Sequence, residues 1–398
     1  MYVIYDVLQG EVLRMVNRLI ERDFCCRREG LMIRGREFLP QGDHLPAIII
    51  SHGFGGNSMN LESYCRTFAG WGYATYCFDF CGGCPDEEGR SDGKSTDMTV
   101  LTERDDLIAV MNYVKELTYV DDSKLTLMGF SQGGFVSALA AAKRANEVNS
   151  IILIYPAFCI PDDARRGALA NSSYDINCVP EIIDCGKMTI GKMFHETVAD
   201  MDPYEEIIPY TGPVLLIHGT SDEIVHYSYS VQAQNSYETS QCQLQLIKEA
   251  GHHFTEEQTE SMIVSIHQFL KGKKEVLTID VLITGSEVRK DTGTDKQIAV
   301  FFTGSSESPF FKGDIVQGAE DVQDYYEGNL TNIRADYALE GVDYVGDHCR
   351  IHIVNQRVNG ELKPDLHTDS RALDFLNHAD LTASIEGFTG GLTVRIFS

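Results

Sequence analysis

Residues 125–140 read LTLMGFSQGGFVSALA. An apolar strand-like run, Leu125–Met128, meets a turn with glycines at 129, 133 and 134 around Ser131, and an alanine-rich helical run follows. A serine exposed on a cramped strand-to-helix turn needs glycine two residues before and two after it, because the turn has no room for side chains. The helix behind such a serine favours negative charge developing at its N-terminus. A glycine-x-serine-x-glycine string alone also occurs in ordinary glycine-rich turns. The strand before it and the helix after it make Ser131 a candidate nucleophile.

Working outward, the chain alternates strands and helices as far as about residue 271. Ala47–Ile50, Ala74–Phe80, Lys124–Gly129, Ser150–Tyr155, Val214–His218 and Gln243–Lys248 read as buried strands. Glu62–Gly70, Met98–Glu116, Gly133–Ala145, Tyr227–Tyr237 and Glu256–Leu270 read as helices. Continuous apolar strands alternating with helices indicate a covered parallel sheet, which binds ligands at the carboxyl ends of its strands.

An unaided serine is a poor nucleophile; it needs a base, and the base needs an orienting acid. Asp222 follows the strand Val214–Ile217, and His252 follows Gln243–Lys248, in the chain order serine, acid, histidine. The glycine before it and Phe254 two residues after it select His252 over the adjacent His253, which reads as a rim residue. His226 and His267 lack this context. Two backbone N–H groups must stabilise an oxyanion. Gln132, after the nucleophile, supplies one, and Phe54 in the glycine-rich loop Ser51–Gly56 supplies the other. No metal or organic cofactor is needed.

Composition excludes other classes. The chain has 398 residues, 43% hydrophobic and 23% charged, as expected of a folded protein with two domains. A formal charge of −26 opposes nucleic acid and anionic membranes as partners. No apolar run approaches the roughly 18 residues of a membrane span. The start, MYVIYDVLQGEVLRMVNRLIERD, does not read as an export signal, so a cytoplasmic location is expected and the sequons at Asn171 and Asn329 carry no weight. Eleven scattered cysteines then read as reduced thiols. Cys81 and Cys84 have redox-motif spacing, but they sit in a loop after a strand.

HGFGGN (52–57), FDFCGG (78–83), SDGKSTDMTVLTERDDL (91–107), GFSQGG, HGTSDEIV (218–225) and EAGHHF (249–254) together resemble the bacterial cinnamoyl and feruloyl esterases of the α/β-hydrolase superfamily. The resemblance covers about residues 28–271. It implies an α/β-hydrolase fold over residues 1–272 with an inserted lid at about 156–210. It also implies a small-molecule carboxylic ester substrate with an aromatic acyl group. In that family an aspartate, a glutamine and a tyrosine of the lid contact phenolic hydroxyls. Here those positions correspond to Asp163, Ala170 and Phe194, so two of the three polar contacts are missing and broader aryl or short acyl esters fit almost as well. The same triad serves peptidases and lysophospholipases, and a noncatalytic binding protein on this scaffold is the alternative of a different class.

Beyond Lys271–Lys274 the rhythm changes. Leu277–Gly285, Gln297–Thr303, Asn332–Leu339, His348–Asn355 and Leu392–Phe397 read as strands between glycine turns, among them Gly304, Gly346 and Gly360, which suggests an antiparallel barrel or sandwich. FFKGDIVQGAEDVQ (310–323), IRADYALEG (333–341), HCRIHIVNQ (348–356) and DFLNHADLTASIEGFTGGLTVRIF (374–397) resemble a family of small calycin-like β-barrels without assigned chemistry, with Val322 where a tryptophan is expected. Asp321 and Arg350 read as surface residues. Residues 276–398 form this second domain, for which ligand binding and homo-oligomer assembly are the two readings.

Overall fold

The structure is a computed structural model that describes residues 19–85, 90–237, 242–358 and 361–398. The readings of residues 1–18 as free of an export signal, and of Gly360 as a turn, concern positions outside the described residues. The chain divides into two compact units at His253/Phe254.

In the first unit β1 (Ile20–Arg28), β2 (Leu31–Leu39) and β3 (Leu45–Ser51) precede α1 (Glu62–Gly70) and β4 (Ala74–Phe78). Then come α2 (Val100–Lys115), β5 (Val120–Phe130), α3 (Gln132–Lys143) and β6 (Ser150–Ile154). The next segment holds α4 (Ile160–Arg166), β7 (Ile182–Asp184), β8 (Thr189–Gly191), α5 (Lys192–Val198) and α6 (Pro203–Ile207), where the sequence implies a lid. The unit ends with β9 (Val214–Gly219), α7 (Ser228–Ser236) and β10 (Cys242–Ile247).

The main sheet has the order β1-β2-β4-β3-β5-β6-β9-β10. The pairs β1–β2 and β2–β4 are antiparallel and the others parallel. The middle strands are isoleucine, leucine and valine runs buried on both faces, as parallel strands require. Register levels their carboxyl ends: Ser51 pairs with Gly129, Phe130 with Ile154, and Ile154 with Ile217. The loops after β3, β5, β6 and β9 therefore leave the sheet side by side.

The hairpin β1–β2 went unread in the sequence because charge masks its alternation. Arg22, Asp23, Arg34, Arg36 and Glu37 interrupt the apolar positions Phe24, Ile33 and Phe38, which are buried nonetheless. Its two-residue turn places Glu29 and Gly30 at φ 50° and 92°, the left-handed pair that suits the twist of a hairpin.

In the second unit α8 (Glu256–Leu270) is followed by β11 (Glu275–Asp291), β12 (Asp295–Glu307), β13 (Phe311–Ile315), β14 (Glu320–Tyr326) and β15 (Asn329–Asp343). The strands continue with β16 (His348–Val358), β17 (Glu361–Thr368), β18 (Thr382–Phe388) and β19 (Gly391–Phe397). All pair antiparallel in the order β11-β19-β18-β17-β16-β15-β13-β12-β14, and β11 also pairs with β12, so the ladder returns on itself. Ile279, Leu339, Ile351, Ile353 and Ile396 belong to its wholly buried core. Thr255 caps α8 through a reciprocal box with Gln258. Ser261 of this helix donates to Glu386 of β18 at 3.2 Å, and Gly387 N–H donates to Glu257 at 3.2 Å. The helix read from the sequence as closing the first domain thus groups with the strands after it. Among the described residues no helix is long and apolar enough to cross a membrane.

Leu153 is wholly buried in β6 between Gly129 and Leu216. Leu153→Ala is expected to cost about 2–5 kcal/mol and to lower the first unit's thermal midpoint by roughly 5 °C or more, measured by calorimetry.

Candidate active site

Ser131 stands between β5 and α3 at φ 52° and ψ −121°. The surroundings hold this strained backbone. Its N–H donates to Ile154 O at 2.9 Å, and its carbonyl accepts from Gly134, Phe135 and Ala157 at 3.0, 3.2 and 3.0 Å. The two glycines that flank it are sterically required. A Cβ on Gly129 would stand 2.1 Å from Gly133 O, and one on Gly133 would stand 2.3 Å from His52 O.

His252 Nδ1 lies 2.8 Å from Asp222 Oδ2, and Nε2 lies 3.0 Å from Ser131 Oγ. A carboxylate only accepts, so Nδ1 carries the proton and Nε2 is left to accept from the serine hydroxyl. Gly219 lets the loops after β9 and β10 meet, since a Cβ there would stand 2.2 Å from Ala250 O. Ser221 N–H then donates to Ala250 O at 2.9 Å. The adjacent His253 is exposed, its ring 5.6 Å from that of His252.

Asp222 Oδ1 accepts from Ile224 and Val225 N–H, each at 2.9 Å. His218 Nε2 faces both Asp222 Oδ2 at 3.3 Å and Val225 O at 2.8 Å. The carbonyl makes Nε2 a donor, while Nδ1 faces the Ser230 hydroxyl at 2.7 Å. Burial alone would raise the Asp222 pKa, but the hydrogen bonds from His218, His252 and Val225 outweigh it and hold the carboxyl well below its ordinary value. The sequence reading passed over His218, although its position four residues before Asp222 at a strand end was a usable signal.

The turn after β3 lies against the serine. Gly56 N–H donates to Gly53 O at 3.0 Å, Gly55 has φ 60°, and a Cβ on Gly53 would fall 3.2 Å from Ser131 Cβ. Phe54 is within this turn, and Gln132 opens α3, where the first N–H groups lack acceptors inside the helix. The Gln132 side chain points away, its Nε2 donating to Glu103 at 2.8 Å. Burial raises the Glu103 pKa to about 8, against the hydrogen bond from Gln132. Lys187, at the tip of the β7–β8 hairpin, donates to Gly55 O at 2.7 Å. Neither Glu103 nor Lys187 had a signal in the sequence.

His52, Asp79 and Cys84 bring a nitrogen, an oxygen and a sulfur within 4.8 Å of one another. Those atoms already serve the fold. His52 Nε2 accepts from Phe80 N–H at 3.2 Å, which leaves Nδ1 to donate to Gly53 O at 2.8 Å. Asp79 accepts from Ser58 and Arg90 N–H, each at 2.7 Å. The trio supports the turn that carries Phe54.

Of the two candidates between β6 and β9, Asp163 lies on α4 and accepts from Arg166 at 2.5 Å. Phe194, on α5, is 2% exposed within the first unit's apolar core.

A strained serine after the fifth strand, hydrogen-bonded to a histidine that is in turn hydrogen-bonded to an aspartate, both beyond later strands, decides the architecture. The first unit has the α/β-hydrolase fold. The family model described as serine aminopeptidase, S33, matches residues 42–184. The mouse mitochondrial palmitoyl-protein thioesterase ABHD10 is 26% identical over 228 residues, 53% of this chain and 70% of that protein. Caffeoylshikimate esterase of Arabidopsis thaliana is 29% identical over 136 residues, 33% of this chain and 39% of that one. Among solved structures, Est1E of Butyrivibrio proteoclasticus with bound ferulic acid superposes with a TM-score of 0.57 at 28% identity. That match covers 62% of this chain and 98% of Est1E.

Glu103 gives a pH-dependent prediction. Its pKa is raised from an ordinary 4.5 to about 8, so the folded state holds the proton more tightly than the unfolded one. The stability this contributes is complete below pH 4.5 and is lost as pH rises through about 8. Glu103→Gln, which cannot ionise, is expected to gain on the wild type by up to roughly 1.4 kcal/mol per pH unit across that window, read from denaturation midpoints at several pH values.

Proposed function

We propose that the chain is a serine hydrolase that cleaves carboxylic esters through an acyl-enzyme on Ser131, with hydroxycinnamate-type aryl esters as its substrates. The observation that carries the reading is the continuous hydrogen-bond chain from Asp222 through His252 to Ser131 Oγ, at 2.8 and 3.0 Å. Ser131 Oγ attacks the ester carbonyl as His252 Nε2 takes its proton. Asp222 holds the imidazole and stabilises the cation that forms. The N–H groups of Phe54 and Gln132 receive the oxyanion. His252 then protonates the departing alcohol, and water repeats the sequence to release the acid and restore the serine.

The aromatic acyl group is supported by the likeness to Est1E, solved with ferulic acid, and to caffeoylshikimate esterase. In this reading Asp163 is the polar group that meets a phenolic hydroxyl and Phe194 is an apolar wall behind it. The match to a palmitoyl-protein thioesterase favours a second reading, thioester cleavage by the same machinery. The cyclic ladder of β11–β19 supports a small barrel as the second domain.

The reading is tested with a panel of methyl ferulate, p-nitrophenyl acetate, a palmitoyl thioester and an aminoacyl amide. Preference for methyl ferulate is expected, whereas preference for the thioester or the amide overturns the substrate class. Ser131→Ala is expected to lower kcat by about 10⁴-fold or more, and Asp222→Asn by about 10⁴-fold with the fold intact by circular dichroism. Equal kcat in wild type and Ser131→Ala would exclude the mechanism.

A further inference from the structure

Tyr155 follows β6 directly and has φ 36°, a region that aromatic residues rarely enter. Pro156 comes next, and a residue before proline is pushed toward extended backbone, so the conformation is unfavourable on two counts. The chain holds it there. Tyr155 N–H donates to Ile217 O at 2.7 Å, continuing the ladder between β6 and β9 past the last paired residue. The consequence is where the ring goes. Its centroid lies 4.5 Å from that of His252, with 48° between the planes, and 5.9 Å from Phe130. Backbone strain kept at a site over-determined by its surroundings points to a role for the residue held there.

We infer that Tyr155 is a positioning residue for His252, its ring seating the imidazole between Asp222 and Ser131 and its π face stabilising the imidazolium that forms in each proton transfer. This rests on the proposal that Ser131 is the nucleophile and His252 its base. Two contacts already fix the imidazole in its own plane, Nδ1 to Asp222 and Nε2 to Ser131. Hydrogen bonds at two atoms leave the ring free to rock about the line joining them, and an aromatic ring packed beside it at 4.5 Å limits that freedom. The polar and titratable groups around the imidazole are Asp222 at Nδ1, Ser131 at Nε2, His253 at 5.6 Å and Tyr155; His218 faces the same Asp222 oxygen from behind. Asp222 and the Ser131 oxygen meet an imidazolium at its two nitrogens, and the tyrosine ring, 4.5 Å away and tilted by 48°, adds its π-electrons beside the imidazole.

The test compares Tyr155→Leu, which fills the space with an apolar side chain and no π face, with Tyr155→Phe, which keeps the ring. Tyr155→Leu is expected to lower kcat about tenfold with KM changed by less than about threefold. Its pH–rate profile is expected to move its acid limb to lower pH by about half a unit, because the imidazolium loses a stabilising contact and the neutral base persists further into acid. Tyr155→Phe is expected to restore most of the rate and the position of the limb, because it keeps the ring and loses only the hydroxyl; a merely structural effect on packing would lower the rate in Tyr155→Leu without moving the limb. The rate at which a fluorophosphonate modifies Ser131, measured against pH in the full chain, reads the same imidazole whatever the true substrate. Normal labelling without ester turnover therefore counts against the substrate reading alone. An unmoved acid limb in Tyr155→Leu, or a Tyr155→Phe variant as impaired as Tyr155→Leu, overturns the inference.

Discussion

The lack of space around Ser131 governs the site. Its strained backbone turns the chain from β5 into α3 so tightly that Gly129 and Gly133 approach each other, with 2.1 Å separating a would-be Cβ on the first from the carbonyl of the second. The same crowding presses Gly133 onto the carbonyls of Ser51 and His52, at 2.6 and 2.3 Å from its would-be Cβ. The loop after β3 is thereby held against the serine, and Ser51 sits level with Gly129 in the register of the sheet. A bulkier residue at either glycine would separate the turn carrying Phe54 from the helix start carrying Gln132. The turn that carries Phe54 is thus packed on the turn that leads into Gln132.

Around this turn two buried acids are driven in opposite directions. Asp222 receives four donors, from His218, His252, Ile224 and Val225, and stays ionised despite its burial. Glu103 is wholly buried with Gln132 as its donor, Asp106 raises its pKa further, and it holds its proton. The site thus holds an anionic partner for an imidazole and a neutral brace behind Gln132. A net charge of −26 says nothing about either residue, since local donors decide Asp222 and burial decides Glu103.

What was legible in the sequence follows from how directly each feature is forced by sterics. Ser131, Asp222 and His252 each follow an apolar strand, and sheet geometry brings strand ends together, so order along the chain was enough to pair them. The central strands were legible because burial on both faces demands unbroken apolar runs. The hairpin β1–β2 was not, because its buried apolar residues Phe24, Ile33, Phe38 and Leu39 are scattered among charges, one of which, Glu37, is itself buried. β14 and β17 failed for a similar reason: EDVQDYY sets Val322 among acids and amides, and Pro364 interrupts ELKPDLHT. Tyr155 and Glu103 act through where their side chains arrive in space, which no local pattern encodes.

The second unit shows how a boundary read from composition can divide what packing joins. The basic stretch Lys271–Lys274 looks like a linker, and the helix before it has the amphipathic pattern of a closing helix. Yet β19 is buried on both faces. Val394 and Ile396 enter the apolar core of the ladder, while Thr393 and Arg395, facing the other way, are also buried. Arg395 lies between Glu275 at 3.5 Å and Glu386 at 3.7 Å, and Glu386 accepts from Ser261 of α8. A buried ion pair tolerates burial only when its remaining donors and acceptors are met, and the loss of one partner leaves a charge that is costly to bury. The helix supplies one of those donors, the Ser261 hydroxyl on Glu386. Removing α8 would take the Ser261 donor from Glu386 and the Glu257 acceptor from Gly387 N–H, so the strands and the helix form one physical unit even though the charge pattern separates them.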